Sequence, residues 1–198
     1  KNLKILEKEN IYSKKMEHDA CGVGLVASTE GKKSRKVVEY GIEALKAVWH
    51  RGAVDADGKT GDGAGIHLEI PKDFFSEKIE LTGHNYDDSE ICIGMIFLPR
   101  NNYSAQENSR TLVEKELTKS NFSIYGWRQV PVNPKVLGEK AERTRPEITQ
   151  VLFKHNDKKL SNKNLEVKLY ESRRKIEKEA SIINLNDFYI CSFSSKSI

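Results

Sequence analysis

The sequence predicts a mixed α+β fold, on three observations. Segments of helical period alternate along the chain with short strand-like runs, which suits helices laid on sheets. The 198 residues, 37% of them hydrophobic, suffice for one packed domain. No internal repeat, low-complexity tract or apolar run of 18 residues interrupts the pattern, so nothing spans a membrane as a helix.

The strand-like run Cys21-Gly22-Val23-Gly24-Leu25-Val26-Ala27 comes first. On a strand, Val23, Leu25 and Ala27 share a face with Cys21, and Gly22 and Gly24 leave the other face bare. Residues 28–33 carry turn signals. Ser34 then caps a helix running to about Trp49, whose Val38, Ile42, Leu45 and Trp49 recur at helical spacing and should pack on a sheet. After a glycine-rich loop, residues 65–71 alternate as a half-buried strand.

Residues 72–90 are polar, with loop or a short helix around Phe74 and Phe75. Ile91 to Leu98 is apolar enough for a strand covered on both faces, with Cys92 in the core. A helix from about Ala105 to Lys119 turns Leu112 and Leu117 inward, and a strand follows from Phe122 to Val130, stopped by Pro131 and Pro134. Residues 148–154 form another strand and 160–164 a turn. The charged segment 165–180 sets Leu165, Leu169, Ile176 and Ala180 on one side of a helix. Phe188 to Phe193 gives the last strand, with Cys191 in it.

Charge and cysteines narrow the function. The 33 basic and 29 acidic residues give a net charge of +4, with signs interspersed as on a solvated surface rather than a nucleic-acid groove. Cys21, Cys92 and Cys191 lack the paired spacing of zinc or redox sites, so no metal site is expected. The chain suits a reducing cytoplasm. Residues 1–20 have no continuous apolar core and fit neither a secretory nor an organellar signal.

The second chemical stretch is Trp49-His50-Arg51-Gly52-Ala53-Val54-Asp55-Ala56-Asp57-Gly58-Lys59-Thr60-Gly61-Asp62-Gly63-Ala64-Gly65. Its five glycines between 52 and 65, with Asp55, Asp57 and Asp62, cost too much entropy for a mere connector. A phosphate-binding P-loop would need glycine where Ala53 stands, and a calcium EF-hand would need other residues at Lys59, Thr60 and Ile66.

Together, Cys-Gly-Val-Gly from Cys21 and His-Arg-Gly from His50 resemble the class II glutamine amidotransferases. The long Asp/Gly run resembles the glutaminase domain of glutamate synthases. Gly126 to Val132 and Phe188 to Ser195 carry the resemblance to the end of the chain. It implies the four-layer αββα sandwich of the N-terminal nucleophile hydrolases, incomplete at the C-terminus. It divides the chain into a leader, residues 1–20, and the N-terminal part of the amidotransferase domain, residues 21–198.

By that resemblance the leader is removed and Cys21 becomes the nucleophile that hydrolyses L-glutamine. Its α-amino group, with an ordinary pKa of about 7.7 to 8.0, is then the base. Ammonia passes to a synthase domain of the same polypeptide, which makes glutamate from 2-oxoglutarate with FMN and an iron-sulfur cluster. Electrons come from an NADPH-dependent small subunit or from ferredoxin. No nucleic acid or membrane partner is implied, and no cofactor in this segment. The family's glutamine-binding and oxyanion motifs are expected beyond Ile198, so the segment alone is expected to be inactive.

Arg51 and Asp62 are candidates for site support: Arg51 either tunes the nucleophile or pairs with Asp55 or Asp57 to brace the loop. Two alternatives stand beside this reading. One is a thiol hydrolase pairing Cys21 with His50 or His67, and the other is a noncatalytic basic module whose glycine-rich loop binds a partner.

Overall fold

In the computed structural model, residues 22–48, 54–61, 63–85 and 91–198 are described. The chain divides into two units, residues 1–53 and 54–198. In the first, helix α1 (Arg35–Ala47) begins where Ser34 accepts a hydrogen bond from the Lys36 backbone N–H, the cap expected from the sequence. Val38, Ile42 and Leu45, the apolar stripe expected from the sequence, are among its half-buried positions, and none of its residues is fully buried. Trp49 lies outside the described residues.

The strand expected over residues 21–27 is corrected. Residues 22–28 carry no strand, and Val23 and Leu25 are 94% and 91% exposed. A strand is held by its ladder, and residues 22–28 have no hydrogen-bonded neighbour strand among the described residues. The turn at residues 28–31 does form, closed by the Gly31 N–H on the Ser28 carbonyl, with Gly31 at φ +65°.

The second unit is built on one four-stranded antiparallel sheet in the order β2-β3-β1-β4. Its strands are β1 (Cys92–Leu98), β2 (Phe122–Gln129), β3 (Glu147–His155) and β4 (Tyr189–Ser194). Alternation along the central strands sends side chains into two cores. Cys92, Ile96 and Leu98 of β1, with Val151 and Phe153 of β3, face helices α3 (Tyr103–Lys119) and α5 (Asn162–Ile182). Ile93 and Leu152 point the other way, onto Phe75 and Ile79 of helix α2 (Lys72–Glu80). β1 is thus covered on both faces, as its uninterrupted apolar run requires.

Helix α5 buries Leu165, Leu169, Ile176 and Ala180, the stripe legible in its sequence, together with Ser172. α3 buries Leu117, with Leu112 partly buried beside the same core. In β2 the register shifts between Ile124 and Gly126, where Gly126 takes φ +153°. Tyr125 faces the α2 side by ordinary alternation from Phe122 and Ile124, and the irregularity returns Trp127 to the Phe122 side.

Two departures bear on the site. The strand expected at residues 65–71 reduces to a single bridge between Glu69 and Ser197, flanked by hydrogen bonds joining Leu68 to Ile198 and Ile70 to Lys196. The stretch between Pro131 and the next strand, unassigned from the sequence, holds a 3-10 turn (Pro134–Val136) and a short helix, α4 (Glu139–Thr144). Glu166 of α5 ties down the end of β4 by accepting from the Ser194 hydroxyl (3.0 Å), the Ser195 N–H (2.8 Å) and the Ser195 hydroxyl (2.7 Å).

Candidate active site

Cys21, Arg51 and Asp62, the three site residues expected from the sequence, lie outside the described residues, as does His50. What the structure does describe is the glycine-rich loop between Arg51 and Asp62. Residues 54–61 fold back on themselves, with Val54 bridged to Gly61, the Asp55 N–H on the Thr60 carbonyl (2.7 Å) and the Gly58 N–H on the Asp55 carbonyl (2.9 Å). Gly58 sits at φ +67°, where a side chain would be strained. The Asp57 carboxylate closes the turn from inside, accepting from the Lys59 and Thr60 N–H groups at 2.9 and 2.7 Å and from the Thr60 hydroxyl at 2.5 Å. These donors hold the Asp57 carboxyl well below the usual carboxylate range, the Thr60 hydroxyl first among them.

This turn is docked on the start of α4. Gly138, the N-cap of α4, has no side chain to offer the first helical amides. Thr60 supplies the missing acceptor from 81 residues away, taking the Ala141 N–H at 3.3 Å. The Lys140 ammonium pairs with Asp55. Each shifts the other: Asp55 is lowered chiefly by the hydrogen bond from Lys140, and Lys140 is raised chiefly by Asp55. The brace expected from Arg51 to Asp55 therefore has a described counterpart in Lys140.

The fit leaves no room at Gly138. A Cβ there would overlap Thr60 Oγ1 and Asp57 Oδ2 and lie 2.5 Å from the Thr60 backbone nitrogen. On the far side of α4, Glu142 accepts from Arg100 and from Arg145 at 2.9 and 3.2 Å, which holds its carboxyl down at about 2, the Arg145 hydrogen bonds contributing most. Arg145 is the C-cap residue of α4 itself, so Arg100 is the partner that ties Glu142 to another part of the chain.

His67, the other histidine weighed as a partner for the thiol, is exposed. Cys92 is buried in the core and Cys191 is exposed on β4. Among the described residues, no group of three or more His, Cys, Asp or Glu side chains converges as a metal site. No described helix is long and apolar enough to cross a membrane.

The family description "Glutamine amidotransferases class-II" matches residues 21–198, beginning on Cys21 itself. The chain belongs to the class II glutamine amidotransferases. Its α+β character agrees with a domain of the N-terminal nucleophile hydrolase type, of which the described residues form one four-stranded sheet and its helices.

The chain is 53% identical over 197 residues to the glutamate synthase (NADPH) large chain of Azospirillum brasilense, and all of it is covered. It is 34% identical to the corresponding large chain of Bacillus subtilis over 96% of its length. It is 35% identical to the chloroplastic ferredoxin-dependent glutamate synthase of Spinacia oleracea over 92%. The chain spans only 13%, 12% and 11% of these amidotransferase relatives, respectively.

The loop's docking surface on Gly138, Lys140 and Ala141 was missed from the sequence. The signal available was Gly138 itself, a glycine standing where a helix start ordinarily carries serine, threonine, aspartate or asparagine.

Proposed function

We propose that this chain is the glutaminase segment of a glutamate synthase, with Cys21 as its nucleophile and residues 1–20 as a leader removed before activity. The observation that carries this reading is the family match that starts on Cys21. The relatives whose names specify glutamate synthase support the synthase assignment.

A thiol outperforms a hydroxyl as a nucleophile near neutral pH, because a larger share of it is ionised. Once the peptide bond before Cys21 is cut, its free α-amine takes the thiol proton as the sulfur attacks the glutamine side-chain carbonyl. Collapse of the tetrahedral adduct returns that proton to the leaving nitrogen and releases ammonia. Water then hydrolyses the glutamyl thioester, giving glutamate and restoring the thiol. With the leader attached, the same nitrogen is an amide and accepts no proton. Arg51 and Asp62, which flank the loop in sequence, are the residues we assign to support of the site.

Ammonia is delivered to a synthase domain of the same polypeptide, where FMN and an iron-sulfur cluster supply the redox chemistry. In this reading both groups belong to the synthase domain. The electron source is an NADPH-dependent small subunit or ferredoxin, and the compartment is the cytoplasm. The test is glutamine hydrolysis by the full-length polypeptide: Cys21→Ala is expected to abolish it, and undiminished hydrolysis by that variant would refute the reading.

A further inference from the structure

After β4 the chain turns sharply and comes back to residues 68–70. The Ser194 hydroxyl accepts the Lys196 and Ser197 N–H groups at 3.0 and 3.4 Å, and Glu166 holds Ser194 and Ser195 from α5. Leu68 and Ile198 then exchange two backbone hydrogen bonds, N–H to carbonyl in both directions at 3.0 and 2.9 Å, and the Ile70 N–H reaches the Lys196 carbonyl at 3.0 Å. With the Glu69–Ser197 bridge between them, these are successive hydrogen-bonded pairs of an antiparallel ladder in one register.

On its other side the ladder is open. Among the described residues, no backbone hydrogen bond reaches residues 63–67. Ile66, Leu68 and Ile70 share one face by alternation. Their exposure grades from 2% at Ile70, through a half-buried Leu68, to 43% at Ile66. Ile198, opposite Leu68, packs against the core of Ile70, Phe75 and Ile79. Cover on that face stops where the pairing stops.

We propose that residues 63–70 are a docking edge for the stretch of the full-length polypeptide that continues from Ile198, which adds to them as an antiparallel strand in the register of the Leu68–Ile198 pair. The inference rests on the reading of this chain as one segment of a longer glutamate synthase, since it spans 13% of its Azospirillum brasilense relative. The register assigns the places. The first residue after Ile198 stands opposite His67, and the second stands opposite Ile66, on the same face as Ile198. The partner is therefore an extended segment with an apolar side chain at its second position. The Ile66 N–H points the same way as those of Leu68 and Ile70, and donates to the carbonyl of that second residue. The strand expected over residues 65–71, present among the described residues only as a bridge, is completed from this side.

The experiment is disulfide trapping in the full-length polypeptide, read by peptide mass after mild oxidation. Residue 67 and the residue after Ile198 form a non-hydrogen-bonded pair, whose Cβ atoms come close enough to bridge. His67→Cys, with the residue after Ile198 also changed to cysteine, is expected to cross-link in most molecules. Glu69→Cys with Ser197→Cys, the pair already bridged, is the reference and should do the same. Ile66→Cys with the same downstream cysteine is one step out of register, on opposite faces, and should cross-link at least ~10-fold less.

A reference pair that closes while the His67 pair stays open, or cross-linking that favours Ile66, would overturn the proposal. So would a reference pair that stays open, because the register is extended from it. Hydrogen exchange reads the same ladder without substitutions: the Ile66 amide should be protected like that of Leu68, and exchange at the open-chain rate would contradict the pairing. Failure of the glutaminase reading is a separate result, seen as wild-type protein left unlabelled at Cys21 by a glutamine-mimicking electrophile.

Discussion

Gly138 and Thr60 meet at a separation that excludes a side chain: a Cβ on Gly138 would lie 2.5 Å from the Thr60 backbone nitrogen. The contact makes one short helix and one glycine-rich loop mutually dependent, since Thr60 completes the cap that Gly138 cannot provide.

Gly138→Ala should therefore unseat the loop without unfolding the sheet, whose cores lie elsewhere. The backbone amides of Lys59, Thr60 and Ala141 are expected to exchange about tenfold faster or more, the equivalent of ~1.4 kcal/mol of local opening, while those of β1 and β3 hold their protection. Uniform acceleration across the sheet would show that the loop is not a separate unit. Unchanged exchange would show that the contact is loose.

Acid should release the other side of α4. The Glu142 carboxyl is depressed from its ordinary 4.5 to about 2 by Arg145 and Arg100. A depressed folded-state pKa adds stability that is present above the unfolded value and is lost as pH falls through the folded one. The contribution is thus intact above about pH 4.5 and disappears toward pH 2. Denaturant midpoints measured across that window should fall less steeply in Glu142→Gln than in wild type. Parallel curves would contradict the assignment.

Gly94 is a second close approach. A Cβ there would lie 2.7 Å from the Phe193 ring and 2.8 Å from Val151 Cγ1, between β1 and its two neighbours. Overfilling a packed core of this kind costs about 1–3 kcal/mol. Gly94→Ala should lose that much in urea unfolding, and Gly94→Ala with Phe193→Leu should recover part of it. A neutral Gly94→Ala would mean that the strands spread at no cost.

The sequence made the sheet core and the helix stripes legible because each rests on local periodicity. Ile91 to Leu98 needed cover on two faces and has it, and Leu165, Leu169, Ile176 and Ala180 fall inward. What escaped depended on partners distant in sequence. α4 begins at a glycine, so its capping signal sits at Thr60. Asp55 has a described partner in Lys140, 85 residues away, which no local pattern announces. The run from Cys21 to Ala27 has strand composition, but composition supplies no neighbour to pair with. Cys21, Arg51 and Asp62 lie outside the described residues, and the seat of the loop between Arg51 and Asp62 was not legible because it rests on a helix start about 80 residues away.

The most direct test is the mass of the N-terminal peptide from full-length protein that is actively hydrolysing glutamine. A terminus at Cys21, with residues 1–20 gone, is the predicted result. Active protein that still carries Ala20 joined to Cys21 would contradict the account, because the nitrogen meant to accept the thiol proton would then be an amide.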